Sequence, residues 1–376
     1  MTEKIARFLD EVRPATPCLV VDLDVVGDNY DKLHGALPDA RIFYAVKANP
    51  APEILRLLVE RGSCFDTASV PEIQACLDAG ATPDRISFGN TIKKASDIRI
   101  AHELGISLFA FDSDAELEKI AEHAPGARVF CRILTSGEGA DWPLSRKFGC
   151  DLEMARELLL AASRTKVVPY GVSFHVGSQQ RDVGQWDLAL SQTAQLFREL
   201  EEQGVVLRMV NMGGGFPTRY LKDVPTSEAY GAAIDEALRR HFGNRIPETI
   251  IEPGRGMVGN AGVIRSEVVL ISRKSKLEDR RWVYLDIGKF GGLAETMDEA
   301  IRYPIRTPHD GGTTGPCVVA GPTCDSADVL YEKLPYDLPI SLTIGDEILI
   351  EGTGAYTTTY SAVGFNGFSP LQSYVI

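Results

Sequence analysis

The chain has 376 residues, of which 44% are hydrophobic and 24% are charged, the composition of an ordinary globular protein. Its formal net charge of −13 argues against binding to the phosphate backbone of nucleic acids and to anionic membrane surfaces. A chain of this length fits either one large α/β barrel with additions or two domains. The seven cysteines are scattered without a CxxC pair, which predicts a reducing cytoplasm and no metal site.

The N-terminal segment MTEKIARFLDEVRP is charged and amphipathic. It lacks the long apolar stretch of a signal peptide, and no apolar run in the chain reaches membrane length. We therefore expect a cytoplasmic protein without a membrane partner.

Between Asp24 and Pro253, strand-like and helix-like patterns alternate. Eight apolar runs predict strands: RIFYAVK, SCFDTAS, RISFGN, ISLFAFD, ARVFCRIL, PYGVSFHVG, LRMVNMGGG and ETIIEPGR. Helical patterns such as APEILRLLVERG and DAELEKIAEHA lie between them. This alternation is typical of a (β/α)8 TIM barrel, whose functional site lies at the carboxyl ends of the strands. We predict an α/β barrel domain over residues 24–257.

After Gly262 the pattern changes to alternating, β-branched runs separated by turn residues. These runs are GVIRSEVVLISRK, RRWVYLDIG, PCVVAGPTC and DEILIEGTGAY, and the opening strand TPCLVVDLD could join them. They predict a β domain formed by residues 1–23 and 258–376.

Lys47 ends the first apolar run of the predicted barrel. A lysine at a strand end usually only extends its ammonium group to solvent. The alternative is a lysine that forms a Schiff base with a carbonyl compound. That alternative requires a binding site for the carbonyl compound at the same barrel mouth.

Three later strand ends supply parts for such a site. Gly213–Gly215 lack Cβ atoms, so their backbone N–H groups could approach an anion, although a glycine run can also be a flexible loop. Arg255 suits bidentate phosphate binding and Glu252 could accept a ring N–H, although they could also be a surface pair. His175 offers a flat ring and Ser178 a hydroxyl, although a lone histidine is usually structural.

Together these groups describe a ligand with an aldehyde, a ring nitrogen and a phosphate, which is pyridoxal 5'-phosphate (PLP). The protein group that binds the ring nitrogen sets the electronic properties of this cofactor. A carboxylate such as Glu252 keeps the nitrogen protonated and favours the breaking of bonds at Cα, as in decarboxylation. An arginine there would suit racemisation better.

Seven motifs, in order along the chain, resemble those of the ornithine decarboxylase family, specifically its bacterial ornithine/lysine decarboxylases. They are FYAVKANP, FDTAS, FHVGSQ, GGGFP, EPGR, GPTCDSADVL and GAYTTTYSAVGFNGF. This family consists of PLP-dependent decarboxylases with the alanine-racemase fold, a PLP-binding barrel plus a β domain.

The resemblance implies a role for each matching residue. Lys47 would bind PLP covalently and assist product release, His175 would stack on the ring, and Glu252 would bind the ring nitrogen. Asp66 would lie beside the cofactor. The residues implied to bind the phosphate are Ser178, Gly215, Gly254, Arg255 and Tyr356.

In the family, Cys324 and Asp325 reach the active site of the neighbouring subunit, which implies a two-fold homodimer with shared sites. Cys324 would protonate Cα after CO2 leaves, and Asp325 would bind the distal amine of the substrate. From the residues alone, glycine and proline predict a rigid loop here, and a thiol and a carboxylate suit these tasks. The alternative for Cys324 is a buried small hydrophobic residue.

Two places depart from the family pattern. Pro143 stands where eukaryotic ornithine decarboxylases carry an arginine, so that arginine's role cannot be transferred. The second carboxylate for the substrate amine falls in GGLAETMDEAIRYP, where Asp298 is the best-aligned candidate and Glu295 the alternative.

We therefore predict decarboxylation of L-ornithine to putrescine for polyamine biosynthesis, with L-lysine as a further candidate substrate. A lysine-preferring or a diaminopimelate decarboxylase is the alternative among enzymes. Diaminopimelate decarboxylases tend to read Cys-Glu-Ser-Gly-Asp where this chain reads Cys-Asp-Ser-Ala-Asp, which suits a distal amine better. The alternative from another class is a non-catalytic, PLP-binding regulatory homologue.

Overall fold

The computed structural model describes residues 1–142 and 147–376. The chain divides into two compact units. The barrel unit comprises Gly27–Pro217 and Val224–Met257, and the β unit comprises Met1–Val26, Thr218–Asp223 and Val258–Ile376. The domain boundaries expected from the sequence stay a prediction.

The described helices range from four to eighteen residues in length. They are α1 (Glu3–Val12), α2 (Leu23–Ala36), α3 (Pro52–Glu60), α4 (Val70–Asp78), α5 (Ala95–Glu103), α6 (Asp114–His123), α7 (Leu152–Ala162), α8 (Gln185–Glu202), α9 (Ser227–Phe242) and α10 (Arg255–Val258). Short 3-10 turns cover Val46–Ala48, Pro83–Arg85, Gly259–Ala261, Ala294–Glu299, Thr358–Tyr360 and Phe365–Gly367.

The described strands of the first two thirds of the chain are mostly three to six residues long. They are β1 (Cys18–Val21), β2 (Ala40–Ala45), β3 (Cys64–Thr67), β4 (Ile86–Phe88), β5 (Leu108–Phe111), β6 (Arg128–Arg132), β7 (Ala140–Trp142), β8 (Val168–Ser173), β9 (Ser178–Gln180), β10 (Met209–Asn211) and β11 (Glu248–Ile251). The later strands are β12 (Gly262–Ser272), β13 (Arg281–Leu285), β14 (Ile305–Arg306), β15 (Thr314–Ala320), β16 (Val329–Pro339), β17 (Glu347–Glu351) and β18 (Gln372–Val375).

The barrel unit contains a closed parallel barrel with the strand order β10-β11-β2-β3-β4-β5-β6-β8. Each of the eight strands lies within one of the eight predicted apolar runs or overlaps it, and the predicted (β/α)8 barrel is confirmed. A cluster of side chains from strands around the barrel forms its core: Phe43, Cys64, Leu108, Ala110, Phe130, Met209 and Ile250. Since parallel strands of a barrel end at one face, residues that follow different strands meet there.

Local capping explains why helices begin where they do. Ser69 precedes α4 and its hydroxyl accepts a hydrogen bond from the backbone N–H of Glu72, while the Glu72 carboxylate accepts from the N–H of Ala68 at 2.7 Å. This arrangement resembles a capping box, except that Glu72 accepts from the residue before the N-cap and not from the N-cap itself. These hydrogen bonds fix the direction of the chain between Asp66, which lies in β3, and the start of α4.

The β unit contains an eight-stranded sheet with the order β14-β17-β12-β13-β15-β16, in which β1 pairs with β12 and with β18. The opening strand therefore joins the C-terminal strands, and the predicted β domain is confirmed as a fold. The long strand β12 pairs antiparallel with β1, β13 and β17, so it connects the different parts of the sheet. Among the described residues, no helix combines the length and the apolar character needed to span a membrane.

Candidate active site

Eight of the predicted site residues lie at the strand ends that form the mouth of the barrel. Lys47 follows β2, Asp66 lies in β3, His175 follows β8, Ser178 begins β9, Gly215 follows β10, Glu252 and Gly254 follow β11, and Arg255 begins α10. The sequence predicted that the strand itself would run to the lysine. Instead β2 ends at Ala45, and Lys47 lies in the 3-10 turn that follows, with its side chain exposed.

Arg255 and Ser178 form the cationic part of this mouth. The guanidinium group of Arg255 donates from Nε and from Nη2 to the Ser178 hydroxyl oxygen, at 3.3 and 3.2 Å. Arg255 is almost fully buried, with 3% of its surface exposed. A buried guanidinium next to a hydroxyl is suited to a phosphate, because both groups can donate hydrogen bonds to its oxygens.

The glycine run lies against the backbone of the two neighbouring strand ends. A Cβ on Gly213 would lie 2.2 Å from the carbonyl oxygen of Phe174, and one on Gly214 would lie 2.5 Å from that of Glu252. Gly213 also has a positive φ of 66°, which side chains disfavour. Only glycine therefore allows this loop to lie as close to the segment of His175 and to Glu252 as it does.

His175 is held as a neutral ring. Burial lowers the pKa of His175 well below its usual value, and the positive charges of Arg132 and Lys47 lower it further. Its Nδ1 atom accepts a hydrogen bond from the backbone N–H of Gly177 at 3.0 Å. Because Nδ1 accepts, the proton of the neutral ring lies on Nε2.

Glu252 is fixed by its neighbour in the barrel. The side-chain amide of Asn211, at the end of β10, donates a short hydrogen bond to Oε1 of Glu252. The backbone N–H of Glu252 donates to the carbonyl oxygen of Gly213 at 2.8 Å. The carboxylate thus has a defined orientation at the barrel mouth.

Asp66 is a buried carboxylate, with 7% of its surface exposed. Burial raises the pKa of Asp66 well above its usual value, the negative charge of Glu252 raises it further, and the charge of Lys47 acts in the opposite direction. The Ser87 hydroxyl donates to Oδ1 at 3.3 Å. Asp66, Glu252 and Lys47 therefore form one electrostatically connected group.

The sequence interpretation missed Arg132, the last residue of β6. Burial lowers the pKa of its guanidinium, while the negative charges of Glu252, Asp66 and Asp112 oppose that effect. The guanidinium also lies 5.1 Å from the centroid of the Phe148 ring. The signal in VFCRIL was the cation of Arg132 in an otherwise apolar run. A cation in such a run is also what drew attention to Lys47.

The β unit holds the remaining predicted residues. Cys324 and Asp325 are both exposed, on the loop after β15, so the predicted alternative of a buried Cys324 is wrong. The backbone N–H of Cys324 donates to Oδ1 of Asn366 at 2.9 Å, and Asp325 accepts from the N–H of Ala327 at 2.8 Å. Buried Asp328 accepts from the backbone N–H and the hydroxyl of Thr323, so hydrogen bonds hold the loop in one shape.

The candidates for the second substrate carboxylate lie in the turn Ala294–Glu299. Asp298 is 84% exposed and forms an ion pair with Lys333 at 3.0 Å, whereas Glu295 is almost fully buried. Tyr356 has a positive φ of 55°, and its ring centroid lies 5.8 Å from that of Tyr360. Pro143 lies outside the described residues.

Comparison with known proteins identifies the family. The family model for the pyridoxal-binding domain of pyridoxal-dependent decarboxylases matches residues 23–259. The chain is 36% identical to a lysine/ornithine decarboxylase of Selenomonas ruminantium over 370 residues, which cover 98% of this chain and 91% of the relative. The chain belongs to the pyridoxal-dependent decarboxylases. Another relative of this decarboxylase is antizyme inhibitor 2 of Xenopus laevis, at 33% identity over 99% of this chain and 84% of the relative.

Solved structures agree with this assignment. The structure of SrLDC in complex with PLP and cadaverine aligns with a TM-score of 0.89 at 34% identity, covering 100% of this chain and 94% of that one. A lysine/ornithine decarboxylase from Vibrio vulnificus, complexed with putrescine, aligns with a TM-score of 0.87 at 31% identity, covering 99% and 97%. The decarboxylase described here is thus a PLP-dependent enzyme of the ornithine/lysine decarboxylase family with the alanine-racemase fold.

The barrel mouth of this decarboxylase fits PLP by its own chemistry. The buried Arg255 with Ser178 and the close-lying glycines form a cradle for an anion. Lys47 supplies an exposed amine and Glu252 an oriented carboxylate at the same strand ends. These are the three groups that a phosphate, an aldehyde and a ring nitrogen require.

Proposed function

We propose that this decarboxylase converts L-ornithine to putrescine and CO2 for polyamine biosynthesis, and that it also accepts L-lysine. The observation that carries the proposal is the exposed pair Cys324–Asp325, held on a hydrogen-bonded loop. A carboxylate there suits the distal ammonium group of a diamino acid. The relatives named for lysine and ornithine, and the structures named for cadaverine and putrescine, support a substrate of this class.

The barrel residues have one role each in this proposal. PLP, when bound, supplies an electron sink into which the bond between Cα and the carboxylate carbon can break. Lys47 anchors the cofactor covalently, Glu252 binds its ring nitrogen, and His175 lies against its ring. Asp66 lies beside the cofactor. The residues proposed to bind its phosphate are Ser178, Gly215, Gly254, Arg255 and Tyr356.

The neutrality of His175 supports its place beside the ring. A protonated imidazole would add a positive charge next to a protonated ring nitrogen and weaken its binding. Because the pKa of His175 lies well below its usual value, the ring is uncharged at neutral pH and can stack without this repulsion.

We further propose a homodimer in which the loop of one subunit completes the site of the other. Cys324 of one copy would donate its thiol proton to Cα in place of CO2, and Asp325 would hold the distal ammonium. An apolar patch near this loop in the β unit supports a second copy as its partner. Its exposed members are Val363, Phe365 and Phe368, and a cavity of about 350 Å3 lined by Thr323 and Phe365 adjoins them.

Asp298 is proposed as the second carboxylate for the substrate amine, with Glu295 as the alternative. In the single chain the Asp298 carboxylate is paired with Lys333, so it would have to exchange this partner for the substrate. Lys333→Ala should then lower the KM for ornithine or leave it unchanged, whereas Asp298→Ala should raise it. A rise of the KM in Lys333→Ala alone would contradict the proposal.

The experiment that tests the substrate is the product pattern from an equimolar mixture of ornithine and lysine. Putrescine should exceed cadaverine in initial rate. A preference for lysine, or equal turnover of diaminopimelate, would favour one of the alternative decarboxylases instead.

The similarity to antizyme inhibitor 2 makes a non-catalytic role the second candidate. It predicts no release of CO2 from any diamino acid, even with PLP added. The presence of Lys47, Glu252, Arg255 and Cys324 together favours the enzyme. From the scattered cysteines of the sequence we infer that it works in the cytoplasm.

A further inference from the structure

Asn211 connects the glycine cradle with Glu252, the two parts of the barrel mouth that are proposed to bind opposite ends of PLP. It is the last residue of β10 and has only 1% of its surface exposed. Its Oδ1 atom accepts a hydrogen bond from the backbone N–H of Gly213 at 2.9 Å, and its Nδ2 atom donates to Oε1 of Glu252. One amide therefore contacts both the first glycine of the anion cradle and the carboxylate assigned to the ring nitrogen.

The orientation of this amide follows from its partners. A backbone N–H can only donate, so the oxygen of Asn211 must face Gly213 and its NH2 group must face Glu252. The backbone closes the loop, since the N–H of Glu252 donates to the carbonyl oxygen of Gly213 at 2.8 Å. The strand pairing keeps the arrangement in place, because Asn211 in β10 pairs with Ser173 in β8 on one side and with Ile250 in β11 on the other.

An amide is well suited to this position because it donates a hydrogen bond without carrying a charge. Glu252 interacts electrostatically with Asp66 in β3 and with Arg132 at the end of β6. Lys47 after β2 acts in turn on Asp66 and on His175 after β8. Two carboxyl groups already share this mouth. An amide that donates to Glu252 adds neither a third negative charge nor a competing cation.

We propose that Asn211 is a positioning residue for PLP, which holds the Glu252 carboxylate in register with the glycine cradle. This inference rests on the proposed roles of Glu252 and Gly215. It extends those roles because both ends of the cofactor site come to depend on the side chain of Asn211. In the proposal, that side chain does not itself contact PLP.

Two substitutions separate this role from simple packing. Asn211→Leu keeps the branch at Cγ but removes both hydrogen bonds, so PLP should dissociate about 10- to 100-fold more readily. Asn211→Asp should imitate the amide while it is protonated, since its OH can donate to Glu252 and its C=O can accept from Gly213. Once deprotonated, it places a second carboxylate against Glu252.

The Asn211→Asp variant should therefore bind PLP best, relative to the wild type, at the lowest pH tested and progressively less well as the pH rises. The measurement is equilibrium dialysis of each holoenzyme against graded PLP concentrations, at several pH values, together with the visible absorbance of the retained cofactor. At each pH, the PLP dissociation constant of the variant is divided by that of the wild type. This ratio cancels the titration of PLP itself and of any other group that the two proteins share. Thr193→Val, a buried change in α8, serves as the control for lost polar packing.

The outcomes separate this inference from the proposed function. Wild-type PLP affinity in Asn211→Leu, or a ratio for Asn211→Asp that is independent of pH, overturns the positioning role. Should Asn211→Leu be too unstable to purify, the pH dependence of Asn211→Asp decides alone. If Lys47→Ala retains the covalent absorbance band of the wild type, the proposed site itself is wrong, whatever the Asn211 variants show.

Discussion

The carboxylate of Asp66 lies directly against the backbone of Gly89: a Cβ built on Gly89 would be 1.9 Å from Oδ1 of Asp66. The two residues belong to neighbouring strand ends, since Asp66 pairs with Ser87 in the register of β3 and β4. The close approach confines the carboxylate on that side. Asp66 therefore has little freedom to move away from Lys47 and Glu252, whose charges act on it.

Gly89→Ala should displace the Asp66 carboxylate and weaken PLP binding by about tenfold, because the added methyl group cannot share the space. The measurement is the PLP dissociation constant. Gly35→Ala is the matched control, since a Cβ there meets no atom within 4 Å; helix α2 should gain about 0.5–1 kcal/mol. Equal PLP affinity in both variants would show that Asp66 adjusts without cost.

Asp66→Asn should stabilise the cofactor-free protein increasingly as the pH rises. The folded protein raises the pKa of Asp66, so this group's contribution to stability is lost as the pH rises from the unfolded value of 3.8 through the folded one. Asparagine lacks that ionisation. The difference in Tm between variant and wild type should grow as the pH rises above 3.8. The exposed Asp28→Asn is the control, and a flat difference for Asp66→Asn would contradict the expectation.

Lys47→Ala should abolish both turnover and the visible absorbance of covalently bound PLP, because the variant lacks the only group proposed to attach the cofactor. Absorbance spectra and CO2 release check this directly. Lys94→Ala, at the N-cap position of α5, controls for loss of a lysine elsewhere in the barrel unit. Turnover at the wild-type rate in Lys47→Ala would refute the assignment.

Mixing two inactive variants tests the shared site. Lys47→Ala and Cys324→Ala protomers should recover up to about a quarter of the wild-type activity, since a two-fold dimer that combines them holds one intact site. The Cys324→Ala protein alone should still bind PLP. Activity of the mixture no higher than the sum of its parts, after the subunits have exchanged, would argue that each chain builds its own site.

Breaking a buried ion pair in the barrel unit should destabilise the protein strongly. Nζ of Lys93 is fully buried, lies 2.8 Å from Oε1 of Glu116, and donates to the carbonyl oxygens of Asn90 and Ala110. Lys93→Met should cost about 3 kcal/mol because it removes a partner from the buried Glu116, and adding Glu116→Leu should recover most of that loss. Urea denaturation of the four proteins in the cycle gives the coupling. A double variant whose loss of stability equals the sum of the two single losses would show that the pair is not coupled.

The same pair predicts a pH effect. Burial lowers the pKa of Lys93 from 10.5 to about 8. Between those values the unfolded chain binds the proton more tightly than the native protein does, so this group's contribution to stability rises with pH. The stability of the wild type relative to the double variant should therefore increase from about pH 8 to about pH 10.5.

The fold was accessible from the sequence because its signals are local. Eight apolar runs with helical patterns between them are enough to predict a barrel, since each strand must bury its side chains and each crossover needs a helix. Lys47 was also visible, because a cation at the end of an apolar run is unusual, and Arg255 was visible because its side chain suits a phosphate. Arg132 carried the same signal and could have been found by applying it to every strand.

Other features depend on which residues become neighbours in space. The ion pair of Asp298 with Lys333, 35 positions further on, follows from the packing of the turn Ala294–Glu299 against β16. Nothing in the residue types around either position predicts it. The same is true of the confinement of Asp66 by Gly89, which needs the register of two strands.

The sequence by itself determined the architecture, the cofactor and the residue types at the strand ends, because periodicity and composition act along the chain. Only the tertiary structure decided how these residues are coupled. Asn211 reads as one more polar residue before a glycine run until β10 and β11 pair and place its amide between Gly213 and Glu252. The physical reason is that hydrogen bonds and charge interactions act over a few ångströms, and closing the barrel sets those distances.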